Sequence, residues 1–503
     1  MSGETAGTDW SVAAGLLLYL AVVLVVGIWA SRRMKKLDDF VLAGRRLGPL
    51  ATAISERASG ESAWFLLGLP GAAYAAGFTS FWSVIGIAAG IFASWTLLAL
   101  PLRKATGATG ALTLPGYFET RFQDNTHILR GVATIIILVF YTVYVGAQFV
   151  GAGKILQATF GMDPAMGMVL GAGIVGFYTL MGGFLAVVWT DVVQGILMMC
   201  VAVILPVAGI VHLGGLNGFI AGVSQVDPDF LLMNAGQTGR AFFFGVMLGG
   251  LSWGFGYLGQ PHLLTRYMAI RNPEHLRQGT AIAMTWVLIA YWGAAMIGLV
   301  GLGVLGTGLA DAEMVMPLLA KALMPGWIAG LMIAGAIAAM MSTADSQLIV
   351  SVSAVVEDVY VQLFHPDASP RRLVVLSRAA TIVIAGIALC LAFRNQDLIF
   401  NMVAYAWSGL GSSFGPPLLL SLRWKRVRRW GVLAGMLSGM ASTIIWKNVA
   451  VLNDALDLKL ASFLISLAMT VVVSLLIRKE SADSSIPPAR PSASHSPDPY
   501  SAG

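Results

Sequence analysis

Apolar residues come in runs of roughly twenty along almost the whole chain, and each run is long enough to cross a hydrocarbon core about 30 Å thick. Short polar stretches separate them. The runs predict about thirteen transmembrane helices, near 10–31, 48–77, 79–101, 128–158, 163–188, 190–213, 238–263, 278–306, 326–355, 372–393, 396–421, 429–449 and 458–478. The weaker two-residue alternation of a membrane barrel is not present. The expected fold class is therefore an all-α polytopic membrane protein. Composition agrees: 57% of the 503 residues are hydrophobic and 11% charged, against roughly 25% charged in a soluble domain.

The formal net charge of +6 needs no nucleic-acid partner, because the basic residues fall on alternate loops. "SRRMKK" and "GRR" follow the first span, "LRK" the third and "TRYMAIRNPEHLRQ" the seventh. "SPRR" follows the ninth, "LRWKRVRR" the eleventh and "IRK" the last. Loops on the opposite side are acidic or neutral. Basic loops stay in the cytoplasm, so the N-terminus is expected outside and the C-terminus inside. The opening "MSGETAGTDW" lacks the basic region of a cleaved leader, so Trp10 onward reads as the first span. The segment 481–503, rich in Ser, Pro and Ala, is expected to be a disordered cytoplasmic tail without an output domain. Cys200 and Cys390 lie in apolar runs and have no metal-ligand spacing.

Two spans carry helix breakers. The second contains "RASGES", with Glu56, Arg57 and Glu61 beside Ser59-Gly60; the seventh reads "LGGLSWGFGYLGQPHLLTRY", with Gly254, Gly256, Gly259 and Pro261 close together. Unwound backbone at membrane depth survives only where it lines a cavity or is buried in protein. Close helix packing explains a single glycine; four breakers interleaved with Trp253, Tyr257 and Gln260 point instead to a binding cavity. Each interrupted span opens a block of five helices, 2–6 and 7–11, and an odd count makes the blocks opposite in topology. Interrupted segments in matching positions of two halves are a sequence pointer to a transporter site. The transporter domain is expected over 1–480, with repeat one about 48–213 and repeat two about 238–421. The extra helices then lie at about 10–31, 429–449 and 458–478.

"FVLAGRRLGPLATAIS", "LPGAAYAAG", "LTLPGYFETRF", "GGFLAVVWTDVVQ", "WGFGYLGQPHLLTRYMA" and "MMSTADSQLIVSVSAVVEDVY" resemble, in order, the sodium/solute symporter family, most closely its bacterial sodium/proline branch. The resemblance runs from about 10 to 480. It implies a leucine-transporter-type five-plus-five inverted-repeat core, alternating access to a midplane site, and a bacterial cell (inner) membrane. It also implies a sodium site from Ala58 and Glu61 (backbone carbonyls) with Ala339, Ser342 and Thr343, an oxygen set suited to a hard cation. The implied substrate site comprises Tyr144, Trp253, Tyr257 and Pro261, with Gln260 and Gln148 as polar partners.

The chain departs from that pattern in the second span. Gly60 stands where the branch has an aspartate, Glu61 where it has an apolar residue, and Arg57 where it has a small one. Three readings follow. Glu61 replaces the lost carboxylate and sodium binds; Glu61 or Asp345 takes a proton and H+ couples; or Arg57 fills the cation space and transport is sodium-independent. If the helix continues through Ser59-Gly60, Arg57 and Glu61 simply pair four residues apart. Asp191 is expected at the mouth between spans 5 and 6, near the ion's exit path or as a helix cap. Arg45 is expected to order the inner gate, and His262 to be structural.

The expected function is a secondary active symporter that imports a small solute, proline or a related amino acid, with Na+ as coupling ion. A transporter-like sensor and a channel are the alternatives. No Ser-His-Asp, P-loop or His-x-x-x-His pattern supports an enzyme. The expected partners are a small-molecule substrate and the lipid bilayer, with no obligate protein partner evident.

Overall fold

A computed structural model describes residues 10–32, 42–181, 183–394 and 397–477. The expected tail 481–503, the first nine residues and most of "SRRMKK" lie outside these ranges. Each of the apolar runs is helical. Among the described residues eight helices are long and apolar enough to cross a membrane, or nine if the bent pair Ala241–Gly256 and Pro261–Ala269 is one span. The helices at Ile399–Arg423 and Arg429–Asn448 have the length but not the hydropathy, because Gly and Ser, and in the former Pro416 and Pro417, dilute their apolar content.

The site is built by a subset of helices: α1 (Trp10–Ser31), α2 (Pro49–Ala63), α3 (Leu69–Ala76), α4 (Ile128–Phe160), α5 (Phe184–His212), α6 (Trp253–Gly256), α7 (Pro261–Ala269), α8 (Leu276–Leu305), α9 (Gly326–Ser353) and α10 (Ile399–Arg423). A π-helical turn, Trp64–Gly68, joins α2 to α3. Helix α9 is central: it packs on α1, α2, α4 and α5, and is buried on all sides along most of its length. A helix apolar or small all round is one that lies inside the bundle. Its run "AGAIAAMM" supplies the small side chains that let neighbours approach.

Three expectations are corrected. The break between the fifth and sixth spans falls at Gly183, not near 189, so α5 starts at Phe184 and Asp191 lies two turns inside it. Asp191 therefore caps nothing. The seventh span does not end at 263: after a 46° bend the chain continues as α7 to Ala269. The basic stretch after it thus begins inside the protein, and Arg266 is fully buried. Finally, the glycines of span 7 do serve close packing. A Cβ on Gly254 would sit 2.1 Å from the Gly86 carbonyl oxygen, and one on Gly256 would sit 1.8 Å from the Trp407 ring nitrogen.

The loop before α2 is tied down. Leu47 bridges to Ile270 in a two-residue parallel contact, and Arg45 donates to the carbonyls of Thr106 and Ala111, both at 3.0 Å. Arg103 donates to the Ile270 carbonyl at 2.8 Å. Arg45 thus fastens the segment that leads into the broken helix.

Candidate functional site

Pro49 opens α2 in its first turn, where the missing N–H costs nothing. The helix is regular through Ser59-Gly60 and breaks at Ser62, whose φ of 57° and ψ of −176° are foreign to a helix. A non-glycine residue held there costs on the order of 1–3 kcal/mol and needs outside support. That support comes from two other helices. The Ser62 N–H donates to Thr343 Oγ1 on α9 at 2.9 Å, and the Ala63 N–H donates to Gln148 Oε1 on α4 at 2.8 Å. The carbonyls on the other side of the break are also engaged. Ser342 Oγ donates to the Ala58 oxygen at 2.8 Å and lies 3.1 Å from the Ala339 oxygen, while Thr343 Oγ1 donates to the Ser59 oxygen at 2.9 Å. Four of the expected ion-site residues, Ala58, Ala339, Ser342 and Thr343, therefore meet around one point. The fifth does not contribute a free carbonyl: the Glu61 main-chain oxygen accepts from the Trp64 N–H.

The charged side chains form a separate layer. Arg57 grips Glu56 with two bonds, Nε to Oε2 at 2.6 Å and Nη2 to Oε1, and reaches Glu61 Oε1 with Nη1 at 3.5 Å. Its guanidinium lies 5.3 Å from the Tyr257 ring centroid. Trp95 Nε1 and the Tyr267 hydroxyl also donate to Glu56, at 3.1 and 3.2 Å. The helical continuation that an Arg57–Glu61 pair requires is present, but the stronger partner is Glu56. Arg57 is used up by carboxylates, whereas the Ser342 and Thr343 hydroxyls are met by carbonyls; the guanidinium does not fill the place between them. Glu61 keeps one carboxylate oxygen, Oε2, buried and without a hydrogen-bond partner.

Above this layer an aromatic pocket opens on the break. Gly60, Glu61 and Ser62 form its floor, and Trp64, Tyr144, Trp253, Tyr257 and Trp407 its walls. The rings pack on one another, Trp64 to Trp253 at 4.6 Å and Tyr257 to Trp407 at 4.6 Å between centroids. The void left is about 10 Å³, room for about one water. Phe400, at the start of α10, touches Trp64 at 5.9 Å and Trp253 at 5.2 Å. Its own N–H donates to Glu313 Oε1 at 2.9 Å, and Glu313 also takes the Ile399 N–H and the Lys154 ammonium.

Of the expected substrate residues, Tyr144, Trp253 and Tyr257 line this pocket. Gln260 and Pro261 do not. Gln260 Nε2 donates to the Trp407 carbonyl, fixing that wall from behind, and Pro261 opens α7 and faces a different cleft with Thr113, Ile349 and Asp358.

On the α7 side of the break a second polar cluster ties four helices together. Arg266 Nη2 donates to Asp191 Oδ2 at 3.0 Å, Ser59 Oγ at 2.7 Å and Ser346 Oγ at 2.6 Å; its Nε reaches Ser55 Oγ at 3.2 Å and its Nη1 the His262 carbonyl at 2.6 Å. Asp191 also accepts from Ser55 and Ser59, at 2.7 and 2.8 Å. His262 joins in structurally: its Nε2 donates to the Ser59 carbonyl and its Nδ1 faces the Tyr141 hydroxyl. Asp345 lies outside the pocket, accepting from Thr179 Oγ1 at 2.6 Å with one oxygen while its Oδ2 is buried without a partner.

Sequence reasoning missed Trp64, Trp407 and Arg266. Trp64 had a signal, since it follows the break by two residues. Arg266 sits one helical turn after His262, a spacing that puts both on one face of α7.

A sequence model of the sodium:solute symporter family matches residues 40–439. Among curated proteins, the chain is 41% identical to the "High-affinity proline transporter PutP" of Bacillus subtilis (strain 168), over 91% of this chain and 97% of that one. It is 37% identical to the "Sodium/proline symporter" of Escherichia coli (strain K12), over 86% of each. Among solved structures, a Na+-coupled sialic acid symporter in a substrate-bound outward-open state superposes with a TM-score of 0.78 at 22% identity, covering 94% of this chain and 99% of that one. The nucleobase-cation-symport-1 family transporter Mhp1 gives 0.52 at 14% identity, covering 88% and 96%. Both likenesses concern the fold.

Proposed function

Because the chain belongs to the sodium:solute symporter family, we propose that it imports a small amino acid, proline or a close relative, driven by a sodium gradient through alternating access. The observation that carries this reading is the break at Ser62, where hydroxyls of α9 and carbonyls of α2 converge beneath an aromatic pocket. Hydroxyl and carbonyl oxygens are the ligands a hard monovalent cation accepts. A small, partly apolar solute suits walls of Trp and Tyr. Ala58, Ala339, Ser342 and Thr343 are assigned to the cation, and Tyr144, Trp253, Tyr257, Trp64 and Trp407 to the solute, with the Glu61 side chain on the solute side. The curated relatives named above are proline transporters, which supports proline as the first solute to test.

The same reading takes thirteen spans in the bilayer of a bacterial inner membrane, five-plus-five inverted repeats at about 48–213 and 238–421, an outside N-terminus and a cytoplasmic C-terminus. Proton coupling is the second reading. It is favoured by one observation: Gly60 offers no carboxylate, while Glu61 presents a buried one to the pocket. Uptake of radiolabelled proline into proteoliposomes, with sodium and proton gradients imposed separately, tests both. Accumulation driven by sodium alone is the expected result. Accumulation that needs a proton gradient and ignores sodium overturns it.

A further inference from the structure

The Glu56–Arg57–Glu61 triad is unbalanced. One guanidinium is shared between two carboxylates, and Glu56 holds it by two bonds while Glu61 meets it only at 3.5 Å. Glu56 has two further donors, Trp95 and Tyr267. With both acids ionised, the group carries one net negative charge, and that charge is least satisfied on Glu61. A charge buried in a low-dielectric interior needs a partner. Glu61 is 1% exposed and lines the aromatic pocket; the Tyr291 hydroxyl lies beside its carboxylate, and its Oε2 makes no hydrogen bond of good geometry. The walls around it are Trp64, Tyr144, Trp253, Tyr257 and Trp407, with Ile87 and Val403 between them. A carboxylate under facing indole and phenol rings is a receptor for an organic cation, which ring quadrupoles and the anion attract together.

Resting on the reading of this pocket as the solute site, we infer that the Glu61 side chain receives the ammonium group of the transported solute. The solute class is a compact amino acid or related amine with a cationic nitrogen beside an apolar ring or chain. Its carboxylate, where it has one, is not recognised by Glu61. The geometry also gives Arg57 a role: bonded to Glu56 and lying against the Tyr257 ring, it keeps the two acids from repelling each other while leaving one oxygen of Glu61 for the ligand.

The test compares proline with tetrahydrofuran-2-carboxylate, which keeps the ring and carboxylate but replaces the ammonium with an ether oxygen. Equilibrium binding of radiolabelled proline to the full-length purified protein is measured with each as competitor. In the wild type, unlabelled proline displaces the label and a hundredfold excess of the furan acid does not. In Glu61→Gln, proline affinity falls about tenfold or more, the loss of roughly one hydrogen bond to a charged group, and the furan acid competes as well as proline. Equal competition by the furan acid in the wild type overturns the inference. So does a Glu61→Gln protein that binds proline within about twofold of wild type and still rejects the furan acid. Should Glu61→Gln aggregate, Glu61→Met takes its place in the same competition, with the same expected loss of proline affinity and of discrimination. Sodium-driven uptake is read separately: its failure with the discrimination intact refutes the coupling reading and spares Glu61, and the converse spares the coupling. A wild type that binds no proline refutes both.

Discussion

Removing Arg57 should cost the protein more than removing any exposed charge. Its guanidinium is wholly buried, and its bonds to Glu56 and contact to Glu61 are charge-assisted. An Arg57→Gln variant leaves two buried carboxylates without their cation. Breaking a buried pair by deleting one partner typically costs about 3–5 kcal/mol. With an unfolding entropy near 2.1 cal/mol/K per residue, a chain of this length loses about 1 kcal/mol per degree, so the melting temperature should fall about 3–5 °C. The assay is thermal melting of the purified protein in detergent. The double variant Glu56→Gln/Arg57→Gln removes one of the stranded charges and should regain more than half of the loss, a coupling that a double-mutant cycle reads directly. Lys447 and Asp397, an exposed pair at 3.7 Å, serve as the control and should shift the melt by less than about 1 °C. A shift for Arg57→Gln no larger than the control, or a double variant worse than the sum of the singles, would refute the account of the triad as a coupled buried unit.

Other outcomes are equally concrete. Trp253→Ala and Trp64→Ala, which open the ring pair at 4.6 Å, should each raise the half-saturating proline concentration about tenfold while leaving protein yield near wild type; unchanged affinity in transport kinetics would remove those walls from the site. Ser342→Ala and Thr343→Ala should raise the half-saturating sodium concentration by about tenfold or more at fixed proline, read by uptake over a sodium series, because each deletes a hydroxyl that meets the α2 carbonyls. Asp345→Asn should keep sodium-driven accumulation, since its carboxylate is engaged by Thr179 away from the pocket; loss of gradient-driven uptake in that variant would restore it as a coupling group. Gly254→Ala forces a Cβ to within 2.1 Å of the Gly86 carbonyl oxygen and should cost about 1–3 kcal/mol in stability, measured as a lower melting temperature.

What was legible in the sequence was what rests on local rules. Apolar run length marked the helices, and clustered Gly and Pro marked the two interruptions, because both act through the backbone of their own neighbourhood. Ser342 and Thr343 were legible only by resemblance. The less visible part depended on partners distant in the chain. Arg266 reads as one more basic loop residue until α7 is seen to bend inward and place it against Asp191, 75 positions earlier. Asp191 reads as a cap until the preceding break moves to Gly183. Within "RASGES" the pattern suggested unwinding at Ser59-Gly60; the helix in fact holds there and yields at Ser62, where α4 and α9 supply acceptors for the freed N–H groups. Propensity located the weak stretch, and tertiary hydrogen bonds chose the residue. The glycines of span 7 suggest a cavity by their clustering, yet their lack of side chains admits Gly86 and Trp407, while the neighbouring Trp253 and Tyr257 face the pocket.

Phe400 has its amide in the grip of Glu313 and its ring against Trp64 and Trp253. One residue thus joins the Glu313 anchor to two of the pocket's rings. The Asp311–Met314 turn, which Lys154 clamps through both Asp311 and Glu313, is thereby tied to the pocket walls Trp64 and Trp253. The rings that wall the pocket and the turn that anchors Phe400 are therefore fastened into one packed unit.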